Sequence, residues 1–240
     1  MANRGERKRQ KSIAAPKVRG FKRKVDTFTP KSKPGPHSKA TSVPLSFALR
    51  QILQVSSNMR ETKKIIAHGG LLVNGKTRKK PSFPVGIFDV IEIVNVKRKF
   101  RFFLDRKGRM IAKEIAHKDG GFKVSKIVGK FVGEGAQMFA RTNDGFILKI
   151  GKEKVNVEDS VKISIPDMKI SEVYHMDKGS VAFIVAGTHT GKTVKLEGVH
   201  KGSLKTHTVV DFDDNGEKYQ TVIDNVFVVG KDKAEIEALA

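Results

Sequence analysis

The chain contains no cysteine and no tryptophan. The absence of cysteine excludes disulfide bonds, thiolate zinc sites and cysteine nucleophiles, and it fits a reducing compartment such as the cytoplasm. No apolar run reaches the roughly 18 residues that a membrane-spanning helix needs, so we expect no membrane partner. The N-terminus also lacks the apolar segment of a secretory signal.

Acidic residues are the next scarce class. The 240 residues include 47 Lys or Arg but only 25 Asp or Glu, which gives a formal net charge of +22 and a pI near 10.1. The first 40 residues hold 13 basic and 2 acidic side chains, and the other 200 hold 34 and 23. A pI above about 9 that extends over whole domains is typical of nucleic-acid binding. The composition therefore predicts a polyanionic partner.

The first 42 residues form a basic segment with almost no apolar periodicity. Such a segment cannot bury enough apolar surface to offset the entropy of ordering it, so we expect an extended arm that is disordered in isolation. Blocks of one charge at a terminus often bind polyanions. The RNA-binding residues predicted in this arm are Arg4, Arg7, Lys8, Arg9, Lys11, Arg19, Lys22, Arg23, Lys24 and His37.

Two short helices are predicted after the arm. Pro44 is suited to open the first, and Arg50, a candidate RNA contact, lies outside its apolar stripe of Leu45, Ala48, Leu49, Ile52 and Leu53. Asn58 and Glu61 form a capping-box variant at the start of the second helix, which Gly69-Gly70 ends. Because residues three and four apart share a helix face, that helix presents together Arg60, Lys63 and Lys64.

A tight hairpin is predicted at Asn74-Gly75, directly after the apolar residues 71–73. It is followed by the cations Lys76, Arg78, Lys79 and Lys80. Together with the helix cations they predict a phosphate-binding surface, on which Asn74 can also bind a base or phosphate. The alternative is an ordinary hairpin beside a solvated charged face.

From about residue 97 apolar residues recur at every second position, as they do in β-strands. Strands are predicted at 100–104, 110–115, 137–141, 146–150, 161–165, 181–185, 193–196, 207–212 and 225–229, separated by Gly, Asn and Asp turns. This spacing is typical of small barrels or sandwiches. Phenylalanines at alternating positions of such strands, as at 100 and 102, are more often core than base-stacking residues.

Residues 186–193, AGTHTGKT, satisfy a relaxed phosphate-binding-loop pattern. A nucleotidase needs a helix directly after this loop, yet residues 194–199 alternate at period two. The sequence therefore favours a Gly-rich turn between antiparallel strands, with His189 and Lys192 facing phosphate. The seven histidines show no metal-ligand spacing and no catalytic signature is present, so we expect no enzyme, metal, cofactor or small-molecule substrate.

Several stretches resemble a known family. Residues 58–94, with the hairpin Val73-Asn74-Gly75-Lys76, resemble the S-four RNA-binding module, and residues 185–194 resemble a KOW motif. Their order behind a basic arm is similar to the archaeal and eukaryotic small-subunit ribosomal family S-four-e. Stretches that look specific to this family are AAP at 14–16, PGPH at 34–37, FPVGIFDVI at 83–91, DRKGR at 105–109 and NVFVVGK at 225–231.

The resemblance implies an α+β, mostly β fold. Its expected parts are the basic arm at 1–42, the S-four-like module at 43–96, a central β domain at 97–168, an SH3-like KOW barrel at 169–232 and a short tail at 233–240. It implies a structural rRNA-binding protein of the small ribosomal subunit, located in the cytoplasm, with rRNA and neighbouring ribosomal proteins as partners. The open alternatives are an RNA-modifying or nucleotide-hydrolysing enzyme and a KOW-containing translation or transcription factor.

Overall fold

The computed structural model describes residues 9–117, 119–151, 154–203, 206–214, 217–231, 234 and 236. They divide into two compact units. The first runs up to residue 104 and includes 109–116, and the second comprises 105–108 and the residues from 117 onward. In the described part of the chain, no helix is long and apolar enough to cross a membrane.

The strands of the first unit are β1 (Arg9–Lys11), β2 (Phe28–Pro30), β3 (Val43–Pro44), β4 (Leu71–Val73), β5 (Lys76–Thr77), β6 (Pro84–Val85), β7 (Val90–Ile93), β8 (Arg98–Leu104) and β9 (Met110–Ile115). Five of them form an antiparallel sheet in the order β5-β4-β7-β8-β9. The helices are α1 (Leu45–Phe47), which continues into a π-helical turn (Ala48–Ile52), and α2 (Met59–Ala67). One apolar core joins the helices to the sheet through Leu45, Leu49, Ile66, Leu71, Ile91 and Phe102.

The N-terminal arm is folded from residue 9 onward in the full chain, whereas the expectation of disorder concerned the arm in isolation and stays a prediction. Strand β1 pairs with β2, and 3₁₀ turns occupy Ser12–Ala14 and Lys17–Arg19. Val18 is buried in the core of the unit, and the Phe21 ring lies edge-on to that of Phe47 with centroids 5.4 Å apart. These apolar residues follow no helical or strand period, and that is why periodicity missed them. Arg4, Arg7 and Lys8 lie outside the described residues.

Arg19, a predicted RNA contact, lies inside the folded arm. Its side chain is buried, and Nη1 donates a 2.6 Å hydrogen bond to the carbonyl oxygen of Pro30. Nη2 lies 3.4 Å from the Ser32 hydroxyl, and the guanidinium is 6.0 Å from the centroid of the Phe47 ring. Burial lowers the pKa of Arg19 to about 10, so the group is still charged at neutral pH. The two Nη groups of Arg19 therefore donate within the arm.

Helix α2 begins and ends where the sequence predicts. The Asn58 side-chain oxygen accepts from the backbone N–H of Glu61 at 2.9 Å, and the Glu61 carboxylate accepts from the N–H of Ser57 at 2.9 Å. The helix ends before Gly69, whose φ of +76° suits a residue without a Cβ. Thr62 and Ile66 face the core. These contacts confirm the predicted capping box.

A buried carboxylate, Asp89, ties three segments of the first unit together. It accepts from Asn74 Nδ2 at 2.8 Å and from the N–H of Gly86 at 2.8 Å, and it lies 2.9 Å from His37 Nε2. Asn74 Oδ1 in turn accepts from the N–H of Val90 at 2.9 Å. A Cβ at Gly86 would lie 2.3 Å from the His37 ring, so only glycine fits there. The side chains of His37 and Asn74, both predicted to bind RNA, are thus buried and take part in this network.

The hairpin β8–β9 belongs to the sheet of the first unit. Strand β7 pairs with β8 in antiparallel register, with Ile91 opposite Phe100. The domain boundary expected between residues 96 and 97 therefore falls inside a sheet. Phe100, Phe102 and Phe103 are buried, in agreement with their reading as core residues.

The second unit contains two five-stranded sheets in the orders β12-β11-β10-β13-β14 and β18-β17-β16-β15-β19. Its strands are β10 (Phe122–Val132), β11 (Met138–Thr142), β12 (Ile147–Lys149), β13 (Ser160–Ser164), β14 (Ile170–Tyr174), β15 (Val181–Ile184), β16 (Thr193–His200), β17 (Val209–Asp214), β18 (Glu217–Val222) and β19 (Val226–Gly230). The mostly β class with two helical segments is confirmed.

Both sheets belong to one compact unit, so the boundary expected between residues 168 and 169 also needs correction. Strand β14 pairs with β13, with Val173 opposite Val161. The N–H of Val228 donates to Ser160 Oγ at 3.0 Å, and Lys126 Nζ donates to the carbonyl oxygen of Ile223 at 2.7 Å. The SH3-like barrel remains a prediction, and the tail 233–240 lies outside the described residues except for 234 and 236.

The helix cap leads to a first prediction. Asn58→Ala removes the acceptor for the N–H of Glu61, which costs about 1 kcal/mol at such a cap. We expect amide protection in α2 to fall about fivefold, measured by hydrogen exchange of the full chain. Ser57→Ala is the control, since only the backbone N–H of Ser57 takes part in the cap. Equal protection in both variants would contradict the capping role.

The Asp89 network leads to a second prediction. Asn74 has a φ of +50°, so Asn74→Gly keeps the backbone conformation while it removes the amide partner of the buried carboxylate. We expect the free energy of unfolding of the first unit to fall by about 1–3 kcal/mol in chemical denaturation. Lys97→Gly is the control, because Lys97 is exposed with a similar φ of +54°. If both substitutions have the same effect, the network does not stabilise the fold.

Candidate nucleic-acid interface

The outer face of α2 carries three of the predicted RNA-binding cations. Arg60, Lys63 and Lys64 are all exposed, whereas Thr62 and Ile66 on the opposite face are buried. The helical repeat and the apolar requirement of the core therefore fix which side of α2 faces solvent. This side is positively charged along its length.

The segment after the Asn74-Gly75 hairpin presents a second group of cations. Lys76, Lys79 and Lys80 are exposed. Both turn residues have positive φ, +50° at Asn74 and +73° at Gly75, which is the conformation of a tight two-residue hairpin. Arg78 is half-buried, with its guanidinium 4.6 Å from the centroid of the Phe83 ring.

The end of α2 lies against the hairpin, which brings the two groups of cations onto adjoining parts of the first unit. A Cβ at Gly69 would lie 3.4 Å from Thr77 Cγ2 and 3.8 Å from Lys79 Cε. We call the exposed cations of both groups the cationic surface: Arg60, Lys63, Lys64, Lys76, Lys79 and Lys80.

No salt bridge among the described residues joins the cationic surface to a carboxylate. The second unit differs, since Lys123 lies 2.6 Å from Asp144 and Lys126 lies 2.5 Å from Glu158. The described residues of the first unit, 9–104 and 109–116, include 24 Lys or Arg and 5 Asp or Glu. The first unit therefore holds positive charge that its own acids do not neutralise.

The remaining cations of the arm, and Arg50 after it, differ in how far their side chains are exposed to solvent. Arg9, Lys11, Lys22 and Lys24 are exposed, and Arg23 is half-buried, with Nη1 3.5 Å from the carbonyl oxygen of Ile13. Arg50 is half-buried and lines a cleft with Phe21, Phe28 and Phe47. Sequence reasoning named these cations but missed the aromatic residues beside Arg50, which lie far apart along the chain.

His189 and Lys192 meet at one aromatic ring in the second unit. The His189 ring is parallel to that of Tyr219, with an interplanar angle of 3° and centroids 4.0 Å apart. Lys192 Nζ donates to Tyr219 Oη at 3.3 Å and lies 5.2 Å from the ring centroid. Tyr219 lies in β18, a strand that the alternation of apolar residues did not predict.

The loop that contains these residues turns between antiparallel strands, as predicted. The N–H of Gly191 donates to the carbonyl oxygen of Ile184 at 2.8 Å, and β16 follows where a nucleotidase would have a helix. The helix N-terminus that binds the phosphates of a nucleotide is thus missing here. In the described part of the chain, no group of three His, Cys, Asp or Glu residues could hold a metal ion.

Family models match three successive segments of the chain. The RS4NT (NUC023) domain matches residues 4–40, the S4 domain matches residues 53–91, and Ribosomal family S4e matches residues 96–170. Together they extend from the arm into the second unit.

Full-length relatives are similar to the whole chain. Small ribosomal subunit protein eS4 of Methanosphaera stadtmanae is 36% identical over 237 residues, covering 98% of each chain. That of Methanocaldococcus jannaschii is 34% identical, covering 99% of this chain and all of the relative. The crystal structure of 30S ribosomal protein S4e from Thermoplasma acidophilum matches with a TM-score of 0.69 and 30% identity, covering 80% of this chain and 96% of that one. The chain therefore belongs to the ribosomal protein family S4e.

Proposed function

We propose that this protein is a structural constituent of the small ribosomal subunit, where it binds and stabilises folded rRNA. The observation that carries the proposal is its full-length similarity to proteins named as small-subunit components. The unneutralised cations of the first unit supply the chemistry, because RNA phosphates are the counter-charge that such a surface needs.

The RNA contacts come from exposed and half-buried side chains of both units and of the arm. The side chains of Arg19, His37 and Asn74 are not among them, since they hold the fold together. The proposed contacts within the described residues are Arg9, Lys11, Lys22, Arg23, Lys24, Arg50, Arg60, Lys63, Lys64, Lys76, Arg78, Lys79, Lys80, His189 and Lys192. Arg4, Arg7 and Lys8 extend the same charge beyond them.

The cationic surface positions the protein on RNA rather than reading its sequence. Lysine and arginine side chains on a rigid helix and hairpin neutralise phosphates at fixed spacing, which sets register and orientation. A-form RNA hides its bases in a narrow groove, so shape and backbone dominate recognition. The partners are the rRNA of the small subunit and neighbouring ribosomal proteins, and the location is the ribosome in the cytoplasm. A KOW-type barrel around β15–β19 is part of the same proposal.

The alternatives fit the molecule less well. An RNA-modifying or nucleotide-hydrolysing enzyme needs a positioned acid, base or phosphate-binding helix, and the Gly187–Lys192 turn leads into a strand instead. A separate translation or transcription factor would account for a KOW motif. It would not account for similarity to S4e proteins over 98% of the chain.

The third prediction tests the cationic surface. We expect the full chain to bind a small-subunit rRNA transcript with an affinity that falls steeply between 50 and 200 mM salt, by about 10³ or more for six phosphate contacts. The triple variant Arg60→Ala, Lys63→Ala, Lys64→Ala should reduce the slope of log K against log salt by about 2 to 3 units. Filter binding at a series of KCl concentrations measures both.

The control variant removes the same number of positive charges from the second unit. Lys169, Lys178 and Lys201 are exposed in the second unit, and their triple alanine variant should change the slope by less than about 1 unit. Equal slopes in the two triple variants would show that charge acts without a preferred surface. An affinity independent of salt would remove the electrostatic basis of the proposed function.

A further inference from the structure

The outer face of strands β10, β11 and β12 carries an exposed aromatic pair. Phe131 and Phe139 are direct cross-strand partners, and their rings are nearly parallel, with an interplanar angle of 19° and centroids 5.6 Å apart. The Phe131 side chain remains 44% exposed. Two large aromatic side chains are thus stacked on each other at the surface instead of in the core.

Strand alternation places this pair on the side of the sheet that faces away from the core. Ala140 and Leu148 are paired neighbours that lie in the apolar core of the sheet with Val161. Because successive side chains point to opposite faces, Phe139 and its cross-strand partner Lys149 lie on the other side. The aromatic pair is therefore not needed to fill that core.

The same face is positively charged. Arg141 follows Phe139 by two residues, and its Nη2 would lie 3.8 Å from a Cβ at Gly129, so the guanidinium extends over the sheet beside the rings. Lys149 is exposed opposite Phe139. Within the described ranges, no salt bridge joins Arg141 or Lys149 to a carboxylate.

We propose that this face is a stacking platform for unpaired nucleobases of RNA, formed by Phe131 and Phe139 with Arg141 and Lys149 as phosphate contacts. Rings and guanidinium groups exposed on a sheet stack bases that single-stranded RNA can turn outward, and flanking cations follow the backbone. This inference rests on the proposed function, and it adds that part of the bound RNA is single-stranded.

An RNA occupant agrees better with this face than a protein does. An apolar protein partner would favour a face without unpaired cations, because burying Arg141 and Lys149 without acids is unfavourable. The reverse side of the same ribbon carries Val132 and Met138, which are 64% and 45% exposed and form a cross-strand pair. Lys130 lies on their side of the ribbon, where it donates to the carbonyl oxygen of Val155 at 2.6 Å, and Val132 and Met138 provide an internal control.

The fourth prediction uses photo-crosslinking of the full chain to a uridine 12-mer. Trypsin releases residues 131–141 as one peptide, because Lys130 precedes it and Arg141 ends it. We expect this peptide to carry crosslinked uridine. The double variant Phe131→Leu, Phe139→Leu keeps apolar side chains without a π face, and it should reduce the crosslink yield at the peptide about 5- to 100-fold.

The control variant Val132→Ala, Met138→Ala should keep the yield within about twofold, since its side chains lie on the reverse side of the ribbon. Replacing Arg141 and Lys149 by glutamine should lower the salt slope for the 12-mer by about 0.7 unit per residue. Circular dichroism melting confirms that each variant is folded before it is compared.

Two outcomes would overturn the platform. Crosslinks confined to peptides of the first unit would do so, as would equal yields from the leucine and alanine double variants, which would leave a protein partner as the occupant. Both leave the proposed function intact if the chain still binds the small-subunit rRNA transcript with a steep salt dependence. Loss of transcript binding by the unaltered chain would instead contradict the proposed function itself.

Discussion

Electrostatic repulsion among its own side chains is the constraint on which this structure depends. The described residues of the first unit, 9–104 and 109–116, include 24 basic residues and only 5 acidic ones. Such an excess of one sign raises the free energy of the compact state, and a bound polyanion lowers it again. The fold and the RNA are therefore linked, because the phosphates supply the negative charge that the chain lacks.

The chain handles its cations in two ways. Some are built into the protein, as when Arg19 donates to a backbone carbonyl within the arm or Lys123 pairs with buried Asp144. Breaking a buried pair of this kind is costly because it leaves a charge without a partner. Others remain in solvent on the outer face of α2 and beside the hairpin, where no salt bridge among the described residues holds them. The cations of this second group are available to phosphate.

Local signals in the sequence were sufficient for elements whose geometry is decided within a few residues. Asn58 and Glu61 located the start of α2, and Asn74-Gly75 located the hairpin, because capping and positive φ are properties of short segments. The exposed cations of α2 followed from the same periodicity. Seven of the ten strands described in the second unit followed from alternation and turn residues.

Features decided by contacts between distant residues were not predictable in this way. Ile91 pairs with Phe100, and this pairing places the hairpin β8–β9 in the first unit, although it was expected in the next domain. No local pattern encodes which strands become neighbours. The long strand β10 was missed because lysines occupy buried positions at 123 and 126. Asp89 looks like an ordinary turn residue until His37, 52 residues earlier, is brought beside it. Arg19 is a similar case. Its charge suggested an RNA contact, but its hydrogen bond to Pro30 depends on contacts that no short segment of the sequence reveals.

The most direct test of the account is to follow the protein through a sucrose gradient of a lysate from its own cells. We expect it to sediment with the small ribosomal subunit at low salt and to be released progressively as the salt concentration rises, because phosphate contacts hold it. A protein that remains in the soluble fractions at low salt, away from ribosomal particles, would contradict the central claim.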